Sequence, residues 1–179
     1  MILALYEHAH GVETTGGNLA VYDLENNTAH FGAASVSGCA FVWRLEEQAG
    51  PGEKLAAPVT LDQSSEWLLR CDRVDFPPGG IAYRHTHPGP GIRCLLRGSI
   101  RIESGGDTHL YKPLEPWFEA GPEPVLAIAS EVEETAFVRA MLVPREFAGR
   151  RTIRYVDPAD EDKPKLQHAT VFFDEPIEL

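Results

Sequence analysis

The sequence lacks any long helical pattern of apolar residues. Its 179 residues include 16 glycines and 14 prolines, and 43% of them are hydrophobic. This composition is typical of many short strands joined by turns, and it disfavours a helical bundle. We therefore predict an all-β fold with one core, because a chain of this length can bury roughly two-thirds of its unfolded surface.

Positive charge is scarce as well. The chain has 16 Lys and Arg residues against 27 Asp and Glu residues, which gives a formal net charge of −11. Such an acidic surface repels phosphate backbones and anionic lipid headgroups. We therefore expect no nucleic-acid or membrane partner. A pocket can still carry a local charge of the other sign, so a small-molecule ligand remains the expected partner.

Cysteine is rare, and no CxxC pair is present. The chain has three cysteines, Cys39, Cys71 and Cys94. Because three is an odd number, at least one thiol cannot form a disulfide within the chain, which favours a reducing compartment. Residues 1–6 are apolar but too short for a spanning helix, and no basic segment precedes them as in a signal peptide. The sequence therefore predicts a cytoplasmic protein.

Two histidines form the chemical centre of the chain. Successive side chains of a strand point to opposite faces, so His85 and His87 share one face with Tyr83. Proline and glycine alternate at positions 88–91 and predict a tight turn. Residues 92–96 and 99–103 read as antiparallel strands beyond that turn. The spacing of the two imidazoles allows both to bind one metal ion.

The residues around this pair resemble the first motif of the cupin family. Gly79 precedes His85 and His87 at the spacing of that motif, and Gly98 stands at its end. The family places a glutamate ligand seven residues before the final glycine, and here that position is Gly91. The resemblance covers residues 67–144.

The second cupin motif is matched in part. Gly106 and Pro113 keep its opening spacing, but no histidine follows. Counting from Pro113 puts Phe118 at the histidine position, whereas counting back from residues 121–125 puts Glu115 there and Glu119 at the asparagine position. Glu119 is the favoured third ligand, and Glu115 is the alternate.

The resemblance implies a double-stranded β-helix, the cupin jelly-roll barrel, with an N-terminal strand extension and a C-terminal arm. We predict an N-terminal β extension at 1–62, which packs on the core or on a partner subunit. The barrel then spans 63–144, and a polar arm with a final strand spans 145–179. Cupin barrels often exchange edge strands, so a homodimer is expected.

The resemblance also implies a ligand set of His85, His87 and Glu119. Two imidazoles and a carboxylate suit divalent Fe, Mn, Ni, Cu or Zn and leave positions open for substrate. The expected function is a metal-dependent enzyme of the dioxygenase or isomerase type, acting on a small organic acid. The alternative is a non-catalytic cupin that binds a small ligand for sensing or storage.

Arg93 lies two residues after Gly91 and is therefore expected to face the barrel interior. A buried guanidinium needs an anion, which leaves two possibilities open. In the first, Arg93 forms an ion pair with Glu119 or Glu115, and a pair with Glu119 would weaken the metal site. In the second, Arg93 binds a substrate carboxylate. Trp117 and Tyr83 are the other candidate substrate-binding residues.

Overall fold

The computed structural model describes residues 1–179 and arranges them in three five-stranded antiparallel sheets. The N-terminal sheet contains the first five strands. These are β1 (Ile2–His8), β2 (Val12–Asp23), β3 (Thr28–Val36), β4 (Ala40–Glu46) and β5 (Glu53–Pro58). The remaining ten strands form the two sheets of a barrel.

The first barrel sheet, here the central sheet, has the N-terminal sheet on its outer face. In spatial order it contains β11 (Pro116–Glu119), β8 (Gly91–Arg97), β13 (Thr135–Pro144), β6 (Trp67–Phe76) and β15 (His168–Pro176). The second, here the histidine sheet, contains β10 (Asp107–Tyr111), β9 (Ile100–Ser104), β12 (Val125–Ala129), β7 (Ile81–Thr86) and β14 (Arg154–Tyr155). The predicted jelly-roll barrel is confirmed, because these two sheets enclose one interior.

The middle strand of the central sheet shows why the fold has three layers. Nearly every residue of β13 is buried, so both of its faces contact other residues. Val138, Ala140 and Leu142 belong to the cluster shared with the N-terminal sheet, whereas Phe137 belongs to the barrel interior. A strand covered on both faces is apolar without alternation.

The N-terminal sheet packs against the barrel within the same chain. Phe41 and Trp43 of β4 lie in one apolar cluster with Leu69 and Ile92 of the central sheet. Trp43 is fully buried, and its Nε1 donates a hydrogen bond to the Ile92 carbonyl oxygen at 3.1 Å. This extension therefore buries the outer face of the central sheet.

The C-terminal residues lie close to the barrel opening. Two short 3-10 helices, Arg145–Phe147 and Pro158–Asp162, flank β14, which pairs with β7 beside His85. Thr152, Tyr155 and Asp160 are buried, so this polar arm is partly covered by the rest of the chain. Strand β15 lies where the final strand was expected. No helix in the structure combines the length and the apolar character that a membrane crossing requires.

Candidate ligand-binding site

A cavity of about 530 Å³ opens between the central sheet and the histidine sheet. One of its ends is apolar, with walls of aromatic and aliphatic side chains from both sheets. These are Val74, Phe76, Ala82, Ile102, Ala127 and Phe137. The other end carries His85, His87, Glu119 and Arg139. The cavity volume lies within the range of small-molecule sites, about 300 to 1,000 Å³.

The two histidines converge at the polar end, where both are buried. His85 Nδ1 lies 2.7 Å from the Tyr83 carbonyl oxygen and donates to it, which leaves a lone pair on His85 Nε2. Arg139 Nη1 lies 3.3 Å from His87 Nε2, and a guanidinium can only donate, so this nitrogen is also an acceptor. The two Nε2 atoms are 3.2 Å apart. Their lone pairs therefore face each other across this short gap.

Burial keeps both imidazoles neutral. It is the main cause that lowers the pKa of His85, and it holds the pKa of His87 well below its usual range. The guanidinium groups of Arg139 and Arg93 lower the His87 pKa further by charge repulsion. At pH 7 the pair therefore presents nitrogen acceptors and carries no positive charge.

Arg139 is the cationic group of the cavity wall that contacts the histidine pair. Its Nε and Nη2 donate to the two Asp72 carboxylate oxygens at 2.6 and 3.2 Å, and its Nη1 reaches His87. Arg139 is 7% exposed, and Asp72 is 1% exposed. A two-pronged arginine and carboxylate pair of this kind fixes the plane of the guanidinium. Asp72 thereby directs the remaining arm of Arg139 toward the histidines.

A row of side chains crosses the inner face of the central sheet. Trp117, Arg93, Arg139 and Asp72 occupy directly opposite positions on four neighbouring strands. Two like charges directly opposite each other are destabilising. Each arginine has a carboxylate on its far side, Glu119 for Arg93 and Asp72 for Arg139. The row is therefore neutral as a whole, with two ion pairs side by side.

Arg93 forms an ion pair beneath the cavity and does not line it. The side chain is fully buried, and its Nη2 lies 2.7 Å from Glu119 Oε2. Its Nη1 donates to the Gly91 carbonyl oxygen at 2.6 Å, while Trp117 Nε1 donates to Glu119 Oε1 at 2.8 Å. Burial lowers the pKa of Arg93 to about 10, so it remains charged at neutral pH. Of the two possibilities for Arg93, the structure has the ion pair with Glu119.

Gly91 could not carry the glutamate that the cupin motif places there. A Cβ atom at this position would lie 2.6 Å from Met141 Cγ, 2.7 Å from the Ala140 carbonyl oxygen and 3.0 Å from Arg93 Nη1. The guanidinium of Arg93 thus lies close to where a ligand side chain would begin. The Arg93 guanidinium therefore lies beside Gly91, the position at which the cupin motif has a metal ligand.

The donor atoms do not fit a three-ligand metal centre. No group of three or more His, Cys, Asp or Glu side chains in the structure is arranged to bind one ion. Glu119 Oε2 lies 3.8 Å from His87 Nε2, and the carboxylate is bound by Arg93 and Trp117 instead. Arg139 also directs a positive charge at His87 Nε2. Only the two imidazoles are free to act as ligands.

Comparisons with known proteins give three solved structures that are similar in part. No protein-family model matches the chain, and neither does any curated protein. The polyketide cyclase RemF from Streptomyces resistomycificus is 22% identical over 52% of this chain and 62% of its own, with a TM-score of 0.41. Oxalate oxidase in complex with glycolate is 18% identical over 54% of this chain and 52% of its own, with a TM-score of 0.43. TT1209 from Thermus thermophilus is 21% identical over 49% of this chain and 82% of its own, with a TM-score of 0.37. The chain thus spans less than two thirds of the first two proteins.

Tyr83 lies outside the cavity, contrary to the sequence prediction. Val125 pairs with His85, but Ala127 pairs with Ala82, so β7 has one residue more than β12 between these pairs. This β-bulge shifts the alternation by one residue and turns Ala82 inward in place of Tyr83. The Tyr83 ring instead lies under Lys163 Nζ, 4.7 Å from the ring centroid.

Glu115 also lies outside the cavity. Strand β11 begins only at Pro116, and the exposed Glu115 side chain accepts a hydrogen bond from the Lys112 backbone N–H at 2.8 Å. The regular strand face that would have joined Glu115 to Glu119 does not extend this far. The alternate third ligand is therefore wrong.

Sequence reasoning missed Arg139 and Asp72. Arg139 is the single charged residue of the apolar strand β13, which is the signal that could have found it, whereas Asp72 lies in β6 among other charged residues and gives no such signal. A charge in such a run is buried only when it is paired, because an unpaired ion in an apolar interior is costly. The partner lies 67 residues away in the chain, so the pairing itself is visible only in the fold.

Proposed function

We propose that this protein binds a small organic acid with an apolar body in its barrel. Arg139 is the anchor for the ligand carboxylate, with the histidine pair beside it. The observation that supports this most directly is a nine-tenths buried guanidinium on the wall of a cavity of small-molecule size. Asp72 and His87 engage three of the five N–H groups of Arg139, so two remain to donate to a ligand carboxylate.

The local charge supports an anionic ligand. Five cationic side chains line the cavity, namely Arg70, Arg139, Arg150, Arg151 and Lys165, against the two carboxylates of Asp72 and Glu119. The whole chain has a net charge of −11, whereas the residues that line the cavity include three more cations than anions; Asp174 and Glu161, outside the lining, pair with Arg70 and Arg151. Low-dielectric walls around cations concentrate the field and favour anions within the pocket.

The division of the cavity supports an amphipathic molecule. Phe137 and Phe76 line the apolar end of the cavity. In β13, Arg139 follows Phe137 by two residues and therefore lies on the same face of the strand. A carboxylate at Arg139 therefore places the remainder of the ligand against aromatic and aliphatic carbon. Burial of that apolar surface provides affinity at roughly 25 cal/mol per Å², while the ion contact provides orientation.

Phenylacetate is expected to bind the wild-type protein more tightly than the uncharged phenylacetamide, which has the same shape. An Arg139→Met/Asp72→Asn variant should bind phenylacetate about tenfold to hundredfold more weakly, since a hydrogen bond to a charged group contributes about 1.5 to 3 kcal/mol. The double substitution removes both charges and leaves no unpaired carboxylate in the interior. Isothermal titration calorimetry measures both comparisons.

Arg101→Met serves as the matched control, because Arg101 is half exposed on the outside of the barrel. Its affinity for phenylacetate should equal that of the wild type. The proposal is wrong if neither phenylacetate nor hexanoate binds at millimolar concentration. It is equally wrong if the double variant binds these acids as tightly as the wild type does.

A metal-dependent enzyme of the dioxygenase or isomerase type is the second candidate. The specific observation in its favour is the 3.2 Å separation of the two Nε2 atoms of His85 and His87. Both nitrogens can reach a single ion at this separation, because metal to imidazole bonds are about 2.0 to 2.1 Å long. A third ligand would require Glu119 to leave Arg93 and Trp117.

Metal analysis of protein purified without an affinity tag separates the two candidates. We expect far less than one metal ion per chain, because Arg93 and Trp117 hold the Glu119 carboxylate and Arg139 directs a positive charge at His87. Stoichiometric metal that disappears in a His85→Ala/His87→Ala variant would favour the enzyme instead. A His8→Ala/His10→Ala variant, which alters a second H-x-H sequence outside the cavity, is the control for metal bound to histidines elsewhere in the chain.

A further inference from the structure

Two buried polar atoms of the C-terminal arm lie at the cavity wall without a hydrogen-bond partner. They are the Tyr155 hydroxyl oxygen and the Gln167 side-chain oxygen Oε1, and both atoms are buried. A buried polar group without a partner costs about 1 to 3 kcal/mol. Both side chains belong to the C-terminal arm, residues 145–179, and both line the cavity. They therefore form a second polar subsite of the cavity, distinct from the pair formed by Arg139 and Asp72.

This subsite lies next to the histidine pair. Tyr155 pairs with His85 across β14 and β7, and their ring centroids are 6.4 Å apart. Tyr155 is 7% exposed. A ligand held by Arg139 beside the histidines is therefore within reach of the tyrosine hydroxyl if it extends toward the arm.

The hydrogen-bonding capacity of the two atoms defines what they can bind. Gln167 Oε1 only accepts, so its partner must carry an O–H or N–H group. Burial raises the pKa of Tyr155, so its hydroxyl keeps its proton at neutral pH and can donate as well as accept. A carboxylate could accept from Tyr155 but could give nothing to Gln167.

The charges around the subsite exclude an ammonium group. Arg151 lies over the Tyr155 ring at 5.0 Å from the centroid, and Lys165 Nζ lies 4.8 Å from the same centroid. A cationic donor would meet two like charges there. A neutral hydroxyl satisfies every condition, because it donates to Gln167 Oε1 and accepts from Tyr155.

We infer that the ligand is a hydroxy acid, whose carboxylate contacts Arg139 and whose hydroxyl contacts Tyr155 and Gln167. This inference rests on the proposed binding of an organic acid. It adds a chemical class of ligand and two specificity-determining residues, both in the C-terminal arm. The arm therefore selects the ligand in addition to lining the opening.

The test compares phenylacetate with its hydroxylated derivatives, namely mandelate and the 2-, 3- and 4-hydroxyphenylacetates, by isothermal titration calorimetry. At least one hydroxy acid should bind the wild type about tenfold more tightly than phenylacetate does. This preference should disappear in Tyr155→Phe and in Gln167→Met, while the affinity for phenylacetate itself stays within about twofold. Tyr83→Phe, which removes a tyrosine hydroxyl outside the cavity, should keep the full preference.

The outcomes separate this inference from the proposed function. If phenylacetate binds through Arg139 but no hydroxy acid is preferred, the inference is overturned and the proposed function stands, with water as the partner of the two atoms. A preference that survives both Tyr155→Phe and Gln167→Met also overturns it. If no acid binds at all, both are overturned. Should Tyr155→Phe fail to fold, Gln167→Met alone decides, because its side chain is only partly buried.

Discussion

Replacement of Arg93 by methionine is expected to lower the melting temperature by about 10 °C, although Arg93 does not line the cavity. The substitution leaves the Glu119 carboxylate buried without its cation, and breaking a buried ion pair in this way costs about 3 to 5 kcal/mol. For a domain of this size each kcal/mol corresponds to about 2 to 4 °C. Thermal unfolding followed by circular dichroism measures the shift.

The double variant Arg93→Met/Glu119→Gln identifies the cause. It removes both charges and keeps an acceptor for the Trp117 indole N–H, which bonds Glu119 at 2.8 Å. Most of the lost stability should return, because exchange of a whole buried pair for neutral side chains is often close to neutral. An Arg93→Met protein that melts within 2 °C of the wild type would contradict the role of the pair in stability. Arg101→Met should have no measurable effect.

Replacement of Trp43 by alanine is expected to destabilise the whole chain by about 3 to 5 kcal/mol, the usual cost of deleting a large buried aromatic side chain. Trp43 is fully buried between the N-terminal sheet and the central sheet, and its indole nitrogen donates to the Ile92 carbonyl oxygen. The substitution leaves a cavity at this interface and removes the hydrogen bond to the Ile92 carbonyl oxygen. Urea unfolding should show a lower midpoint.

The same experiment tests whether the N-terminal sheet is part of one cooperative unit. Trp43 contacts a cluster that includes residues of both sheets, so a single transition should persist in the variant, with an unchanged slope against urea. Two separate transitions would show that residues 1–62 unfold independently of the barrel. Leu110→Ala is the control, because Leu110 is 54% exposed on an edge strand and should change stability little.

Local sequence signals predicted the elements around the histidines well. The proline and glycine alternation at positions 88–91 marks the end of β7 and the start of β8, and the alternation in β9 marks Ile100 and Ile102 as buried. These signals depend on residues close together in the chain, such as turn formers and a period of two. A short segment of the sequence is therefore enough to predict these turns and strands.

The candidate site was predictable only in part. His85, His87 and Glu119 do come together, but Tyr83 and Glu115 lie outside because regular alternation fails at both places. The β-bulge in β7 depends on how many residues of β12 oppose it, which no window of the β7 sequence records. A period of two applies only within an uninterrupted strand.

The sequence by itself determined the all-β class, the order of the strands around the turn at 88–91, and the inward direction of His85 and His87. The tertiary structure alone decided that Arg139, paired with Asp72, contacts His87 and that Arg93 takes Glu119 as its counter-ion. The physical reason is that turns and alternation follow from neighbouring residues, whereas an ion pair in the interior depends on which distant strands become neighbours. In this chain the pairing of β13 with both β6 and β8 places two guanidinium groups side by side, and that pairing sets the charge of the cavity.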